Sequence, residues 1–174
     1  SKNLVGEKPD SKIIEYLEGL NSFSSSFIQS GKAYLEEGYI SIKDDMIRLD
    51  YNSPKRTLKI SKEKGVYINH ELREEEFFST KRNIVKVFYD IFLNKNFFSS
   101  LAPKENKKEI IFEKIIQSET GPVHLKIFFE SSPLLLRKII SQTESDLISI
   151  SFYDHNYNSV FEEGFFSFVP IYLD

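Results

Sequence analysis

The stretch from Gly38 to Pro54, GYISIKDDMIRLDYNSP, alternates apolar and polar residues, pauses at two adjacent aspartates, and alternates again up to the proline. Successive side chains of a strand point to opposite faces, so such alternation describes a ribbon with one dry side. Two runs of this kind around a short polar break form a hairpin, and a turn at Asp44-Asp45 fixes its register. Ile42 then faces Ile47, Ile40 faces Leu49 and Gly38 faces Tyr51. On the reverse side Lys43 faces Met46, Ser41 faces Arg48 and Tyr39 faces Asp50. The first set is apolar on both strands and the second largely polar, as a half-buried antiparallel pair requires. Asp-Asp is a poorer hairpin signal than Asp-Gly, so the turn type stays open.

The strand period continues on both sides of this ribbon. FSSSFIQ places Phe23, Ser25 and Phe27 on one side; RTLKI, SKEKG and VYINH read as a second hairpin, and ELREEEFF as a further strand. Farther on, EIIFEKIIQ, VHLKIFFE, LLLRKIIS and LISISFYD are separated by the turn segments SETGP, SSP and TESD. Strands at such even spacing form an antiparallel sheet that curls or closes. The aromatic content agrees, because 16 Phe and 9 Tyr in 174 residues favour strands and large apolar faces.

Two segments switch to the helical period. In PDSKIIEYLEGLNS, Asp10 or Ser11 caps a helix whose stripe is Ile13, Ile14, Leu17 and Leu20, and Gly19 and Asn21 end it. From about Asn83, the residues Ile84, Val87, Phe88, Ile91 and Phe92 share one stripe, with Lys86, Asp90 and Asn94 off it. NFFSSLAP reads as a short second helix or a turn that Pro103 stops. A helix with one apolar stripe must lie against something, and the inner face of the sheet is the available surface. The expected fold is mainly β (α+β): a long, strongly curved antiparallel sheet that curls or closes, with two amphipathic helices against its concave face. The length fits one domain over residues 1–174, with residues 1–10 as a loose N-terminal segment.

Little in the chain points to catalysis. His70, His124 and His155 have no metal-ligand spacing. His70 reads as a turn residue, His124 shares an exposed strand face with Lys126 and Glu130, and His155 lies in the turn-like YDHNYN. There is no Gly-x-Ser-x-Gly elbow and no phosphate-cradling glycine loop. Glu162-Glu163 and Glu74-Glu75-Glu76 read as charged rims, since adjacent strand residues point to opposite faces. The chain is therefore expected to be neither an enzyme nor a cofactor or metal protein. A net charge of -3 without a basic stripe argues against nucleic acid. The absence of cysteine excludes disulfides and thiolate chemistry. No run approaches the roughly 18 apolar residues of a membrane-spanning helix. The opening SKNLVGEKPD, without Met, fits a mature exported chain and a trimmed one equally. What remains is the apolar face, and a packed core and a ligand cavity both need the same alternation.

The order of segments adds a resemblance. LNSFSSSFIQS, EEGYISI, MIRLDYNSP, GVYINHEL and the closing FFSFVP occur in the order and spacing seen in the periplasmic outer-membrane lipoprotein carriers, and the chain resembles these LolA-like proteins over residues 11–174. The resemblance implies an incomplete β-barrel with helices as a lid over a hydrophobic cavity. It also implies a soluble periplasmic carrier, signal peptide removed, that shuttles acylated lipoproteins. The cargo would pass from an inner-membrane lipoprotein-release transporter to an outer-membrane receptor. The dry face of Ile40, Ile42, Ile47, Leu49, Tyr51, Leu58 and Ile60 would then line the lipid-binding cavity. Ile14, Leu17, Ile84, Val87, Phe88, Ile91 and Phe92 would form the lid, and the carrier would act as a monomer. The alternative is a non-catalytic lipid- or lipoprotein-sensing or protein-interaction domain on the same scaffold. Two departures stand out. The family's aromatic pair is replaced by Ile47 and Leu49, and its basic-proline lid latch by Asp44-Asp45, with Lys43 the nearest basic residue. Arg48 falls on the polar face and does not inherit that role.

Overall fold

The structure, a computed structural model, describes residues 9–81 and 84–172. Residues 1–8 and Asn83 therefore lie outside it, and with them most of the expected loose segment. Helix α1 (Pro9–Glu18) leads into β1 (Phe23–Ser30). Strands β2 (Leu35–Lys43), β3 (Met46–Tyr51), β4 (Arg56–Ile60), β5 (Lys64–Asn69) and β6 (Glu74–Ser79) follow. Helix α2 (Ile84–Leu93) precedes β7 (Lys104–Glu105), β8 (Glu109–Ser118), β9 (Gly121–Ser131), β10 (Leu134–Gln142) and β11 (Leu147–Asn156). The sheet order is β6-β5-β4-β3-β2-β1-β11-β10-β9-β8-β7. Two meanders thus join where β1 pairs with β11, and the edges β6 and β7 do not meet, so the curved sheet stays unclosed.

This topology places α2. It connects a strand at one edge of the sheet to a strand at the other, so the chain must cross a face. The apolar stripe of α2 selects the dry inner face, where Ile91 and Phe92 become buried. NFFSSLAP forms turns rather than a helix, and it drives Phe97 and Phe98 into the core. Phe98 meets Phe112 and Phe129 edge-on at 4.9 and 5.9 Å between ring centroids. Helix α1 begins at Pro9, which tolerates a first helical position because it needs no amide donor. Asp10 and Ser11 therefore sit inside the helix rather than before it.

The hairpin register is the one the alternation dictates: Ile42 pairs Ile47, Ile40 pairs Leu49, and Gly38 pairs Tyr51. It propagates sideways, with Phe27 opposite Gly38 on one flank and Tyr51 opposite Arg56 on the other. The Phe27 and Tyr51 rings meet edge-on at 5.2 Å across Gly38. A Cβ at Gly38 would lie 2.2 Å from the Asp50 carbonyl oxygen and 2.7 Å from the Phe27 ring, so only glycine fits between them.

Three features depart from the sequence reading. His155 belongs to β11 rather than to a turn. Its ring is half-buried against Phe23 and Tyr157, with Nε2 2.7 Å from the Leu136 carbonyl oxygen. The strand expected across ELREEEFF begins only at Glu74, because the preceding residues turn and Arg73 takes a positive φ of 55°.

The third departure concerns the polar outer face of β3 to β6, which is covered by residues 161–172 as a strap. Arg48 Nη1 donates to the Phe165 carbonyl at 2.7 Å, and its guanidinium lies 3.9 Å from the Phe165 ring centroid. Lys59 Nζ donates to the Ser167 carbonyl at 2.7 Å. The Glu75 carboxylate accepts the Ile171 and Tyr172 amides, both at 3.1 Å, so it is an anchor rather than a rim charge. Val66 and Ile68, which the register puts on this outer face beside Lys59 and Thr57, are fully buried.

A candidate apolar cavity beneath the second helix

Between α2 and the inner face of the sheet lies an apolar cavity of about 170 Å³. Its floor is built by the rows that alternation aligned: Leu49, Leu58 and Ile60 from one meander, Leu125, Ile139 and Ile150 from the other. Its roof is the stripe of α2, with Ile84, Val87, Phe88 and Ile91 facing down. Tyr51, Gln29 and Ser141 bring the polar atoms to an otherwise aliphatic wall. A space of this order holds a molecule the size of benzene, so the site as it stands is smaller than a full acyl chain.

The residues expected from sequence are divided by the structure. Leu49, Tyr51, Leu58 and Ile60 line this cavity. Ile40, Ile42 and Ile47 instead lie in the packed core, each at 0% exposure. Of the lid set, Ile84, Val87, Phe88 and Ile91 contact the cavity, and Ile84 is half-exposed at its margin. Ile14, Leu17 and Phe92 line a separate cleft of about 480 Å³ between the helices and the hairpin tip. Leu125, Ile139, Ile148 and Ile150 were missed, because nothing local to their strands says which partner strand they will oppose.

The hairpin tip at Asp44-Asp45 is tied to both helical regions. Asp44 takes a φ of 52°, a left-handed conformation that aspartate tolerates better than most residues. Its amide donates to Asn21 Oδ1 at 3.0 Å, just beyond α1. The Asp45 carbonyl accepts a hydrogen bond from Tyr89 Oη of α2 at 3.3 Å. Backbone atoms of the two aspartates thus make both contacts, which no side-chain motif advertises. Burial, and then the nearby Asp45 and Asp90, push the Tyr89 phenol above its ordinary pKa, so it remains a neutral donor.

Electrostatically the cavity is quiet. The Tyr51 phenol, pushed up to about 12 by burial and then by Glu36, stays neutral and donates to Gln29 Oε1 at 2.8 Å. Tyr16 of α1 is raised further still, by burial and by its hydrogen bond with Tyr157, and its oxygen accepts the Leu136 amide. That contact pins α1 to β10. Among the described residues no group of three His, Cys, Asp or Glu side chains gathers in a metal-binding arrangement. His70 and His155 are both held in hydrogen bonds, and neither lines the cavity.

No family model matches the chain, and no curated protein matches it. Solved structures do. A DUF1329 family protein from Desulfovibrio piger ATCC 29098 aligns with a TM-score of 0.53 at 6% identity, over 91% of this chain and 96% of that one. An uncharacterized conserved protein from Thermus thermophilus aligns with a TM-score of 0.52 at 7% identity, over 87% of this chain and 88% of that one. A chain of the MucA/MucB complex of Pseudomonas aeruginosa aligns with a TM-score of 0.47 at 11% identity, over 83% of this chain and 56% of that one. At these identities the likeness is one of fold. That fold is an unclosed, curved antiparallel sheet with two helices on its inner side, as the alternation and the helical stripes led one to expect.

Proposed function

We propose that the chain is a non-catalytic carrier that binds the acyl chains of lipoproteins beneath α2. The observation that carries this reading is the cavity itself, a mainly aliphatic space between the sheet and a helix tied down at the hairpin tip. Shielding an acyl chain from water is worth about 0.8 kcal/mol per methylene, so aliphatic contact alone suffices to keep cargo dispersed. A cavity of about 170 Å³ admits a whole chain only when α2 moves. Cargo therefore selects an open population, and release is closure of α2 onto its own apolar floor. The place of work would be the periplasm, with cargo received from an inner-membrane release transporter and passed to an outer-membrane receptor. The sequence resemblance supports that route.

The test uses a fluorescent palmitoylated peptide and the variant Leu58→Glu. Leu58 lines the cavity but is only half-buried, so a carboxylate there is compatible with the fold and hostile to an acyl chain. The fully buried Ile47 is a poorer probe, because a charge in the core would unfold the chain. Affinity is expected to fall at least tenfold in Leu58→Glu with the thermal midpoint little changed. Equal binding by the variant would refute the cavity assignment. A domain that merely senses lipoproteins would hold the peptide without delivering it to acceptor vesicles.

A further inference from the structure

The unclosed sheet has two free edges, and they differ. Strand β6 is short, opens with three glutamates, and has the end of the strap bound to Glu75 beside it. Strand β8 spans ten residues, and β7 covers it only at Ile110 and Ile111. In an antiparallel ladder the N–H and C=O of every second residue turn to the same side. The Glu109 carbonyl accepts the Asn106 amide at 3.0 Å, on the side away from β9. The backbones of Glu113, Ile115 and Gln117 therefore point away from β9 as well. Among the described residues, nothing hydrogen-bonds to those backbone groups.

Folded proteins usually blunt such an edge with charge, proline or a covering segment, because it pairs with any strand that reaches it. Here Ile115, in the middle of the free stretch, is 59% exposed. A groove of about 850 Å³ runs beside residues 114–119 and is walled on its other side by α2. It adjoins the apolar cavity, since Ile84 and Val87 line both. Its charges are mixed, Lys81 and Lys114 against Glu119 with Lys86 already paired to Asp90, so they favour no strongly charged ligand. A row of unpaired amides and carbonyls is complementary to one class of ligand, a polypeptide backbone in extended form. The adjoining cavity narrows that class to a peptide that carries an acyl chain.

We propose that the free edge of β8 takes the peptide segment next to the acylated residue of a lipoprotein as an added strand, while the acyl chain lies beneath α2. The outward amides and carbonyls of Glu113, Ile115 and Gln117 supply the pairing. Side chains of the added strand alternate between the groove, beside Lys114 and Ile116, and the outer row of Ile115 and Gln117. Main-chain pairing supplies affinity without reading sequence, so one edge serves cargoes that differ in their side chains. This inference rests on the acyl-binding reading above and adds to it that the peptide part of the cargo is held, and by what.

The experiment uses a short fluorescent Ser/Thr peptide with an N-terminal palmitoyl chain, unmodified or N-methylated at either its odd or its even positions. A paired strand donates from every second residue. One methylated form should therefore bind wild type at least about tenfold more weakly than the unmodified peptide, and the other within about threefold. Ile115→Pro removes an outward amide and spares the ladder to β9. It should bind all three peptides alike, and the dye N-phenyl-1-naphthylamine within about twofold of wild type. The methylated peptides probe wild type itself, so the test holds even if Ile115→Pro fails to fold. If both methylated forms bind wild type equally while the dye still binds, the edge takes no strand and acyl binding stands. A wild-type dimer that Ile115→Pro dissolves would also overturn the proposal, because a second copy of the chain then occupies the edge. If neither the dye nor any palmitoyl peptide binds wild type, both readings fall.

Discussion

His70 shows how one side chain couples the strap to the sheet. Its Nε2 lies 2.8 Å from Thr57 Oγ1, which itself donates to Asp50 Oδ1 at 2.7 Å, and its Nδ1 lies 2.7 Å from Tyr172 Oη. Burial depresses its pKa, with Arg48, Lys55 and Lys59 pushing the same way and Asp50 opposing them. A histidine whose folded pKa lies below the unfolded value of about 6.5 adds stability above that pH. That contribution disappears as pH falls through the folded pKa. Wild type and His70→Gln should therefore differ most in urea midpoint near pH 8, and the gap should narrow toward pH 5. His155, depressed mainly by burial as well, is common to both proteins and cancels in the difference. A gap that is constant over this range would show that His70 does not titrate against the strap.

At the scale of elements, α2 is the part that the proposed cycle requires to move. It carries an apolar stripe onto the sheet, yet its first residue Ile84 is half-exposed, and Lys86 is paired along the helix with Asp90 rather than with the sheet. The Tyr89 contact to the Asp45 carbonyl ties its middle to the hairpin tip. A neutral hydrogen bond of this kind contributes about 1 kcal/mol, or a factor of roughly five in an opening equilibrium. Tyr89→Phe should accordingly speed amide exchange in α2 several-fold while leaving β8 to β11 unchanged, as hydrogen-exchange mass spectrometry would report. Unaltered exchange in α2 would remove Tyr89 as its latch. The strap is the opposite kind of element, fixed by Arg48, Lys59, Glu75 and His70 over the buried Val66 and Ile68. One face of the sheet is thus locked and the other is roofed by a helix on a lighter tether.

For the whole molecule, the division between locked and movable faces makes a carrier cycle testable. The chain contains no cysteine, so the pair Asp45→Cys and Tyr89→Cys can be joined by a short, reducible bis-maleimide. The linked protein should keep its fold but lose uptake of a palmitoylated peptide, and reduction of the linker should restore it. Undiminished uptake by the linked form would mean that acyl chains reach the cavity by a route that does not lift α2.

Much of this architecture was legible in the sequence because the relevant signals are local. Alternation from residue to residue set the register of Ile40, Ile42, Ile47 and Leu49, and the helical stripe marked the face of α2 that must be buried. Neither signal distinguishes packed from hollow. Whether Ile47 is core and Leu58 a cavity wall depends on how the volume of α2 fits a floor drawn from both meanders, and the pairing of β1 with β11 that joins them spans most of the chain. The strap was equally illegible, since residues 161–172 have no period and their anchors are single contacts to a face that reads as polar. The sequence by itself determined which faces of the ribbon and the helix had to be dry. Only the tertiary structure decided where that dryness became a solid core and where it was left hollow, because volume belongs to neighbours distant along the chain.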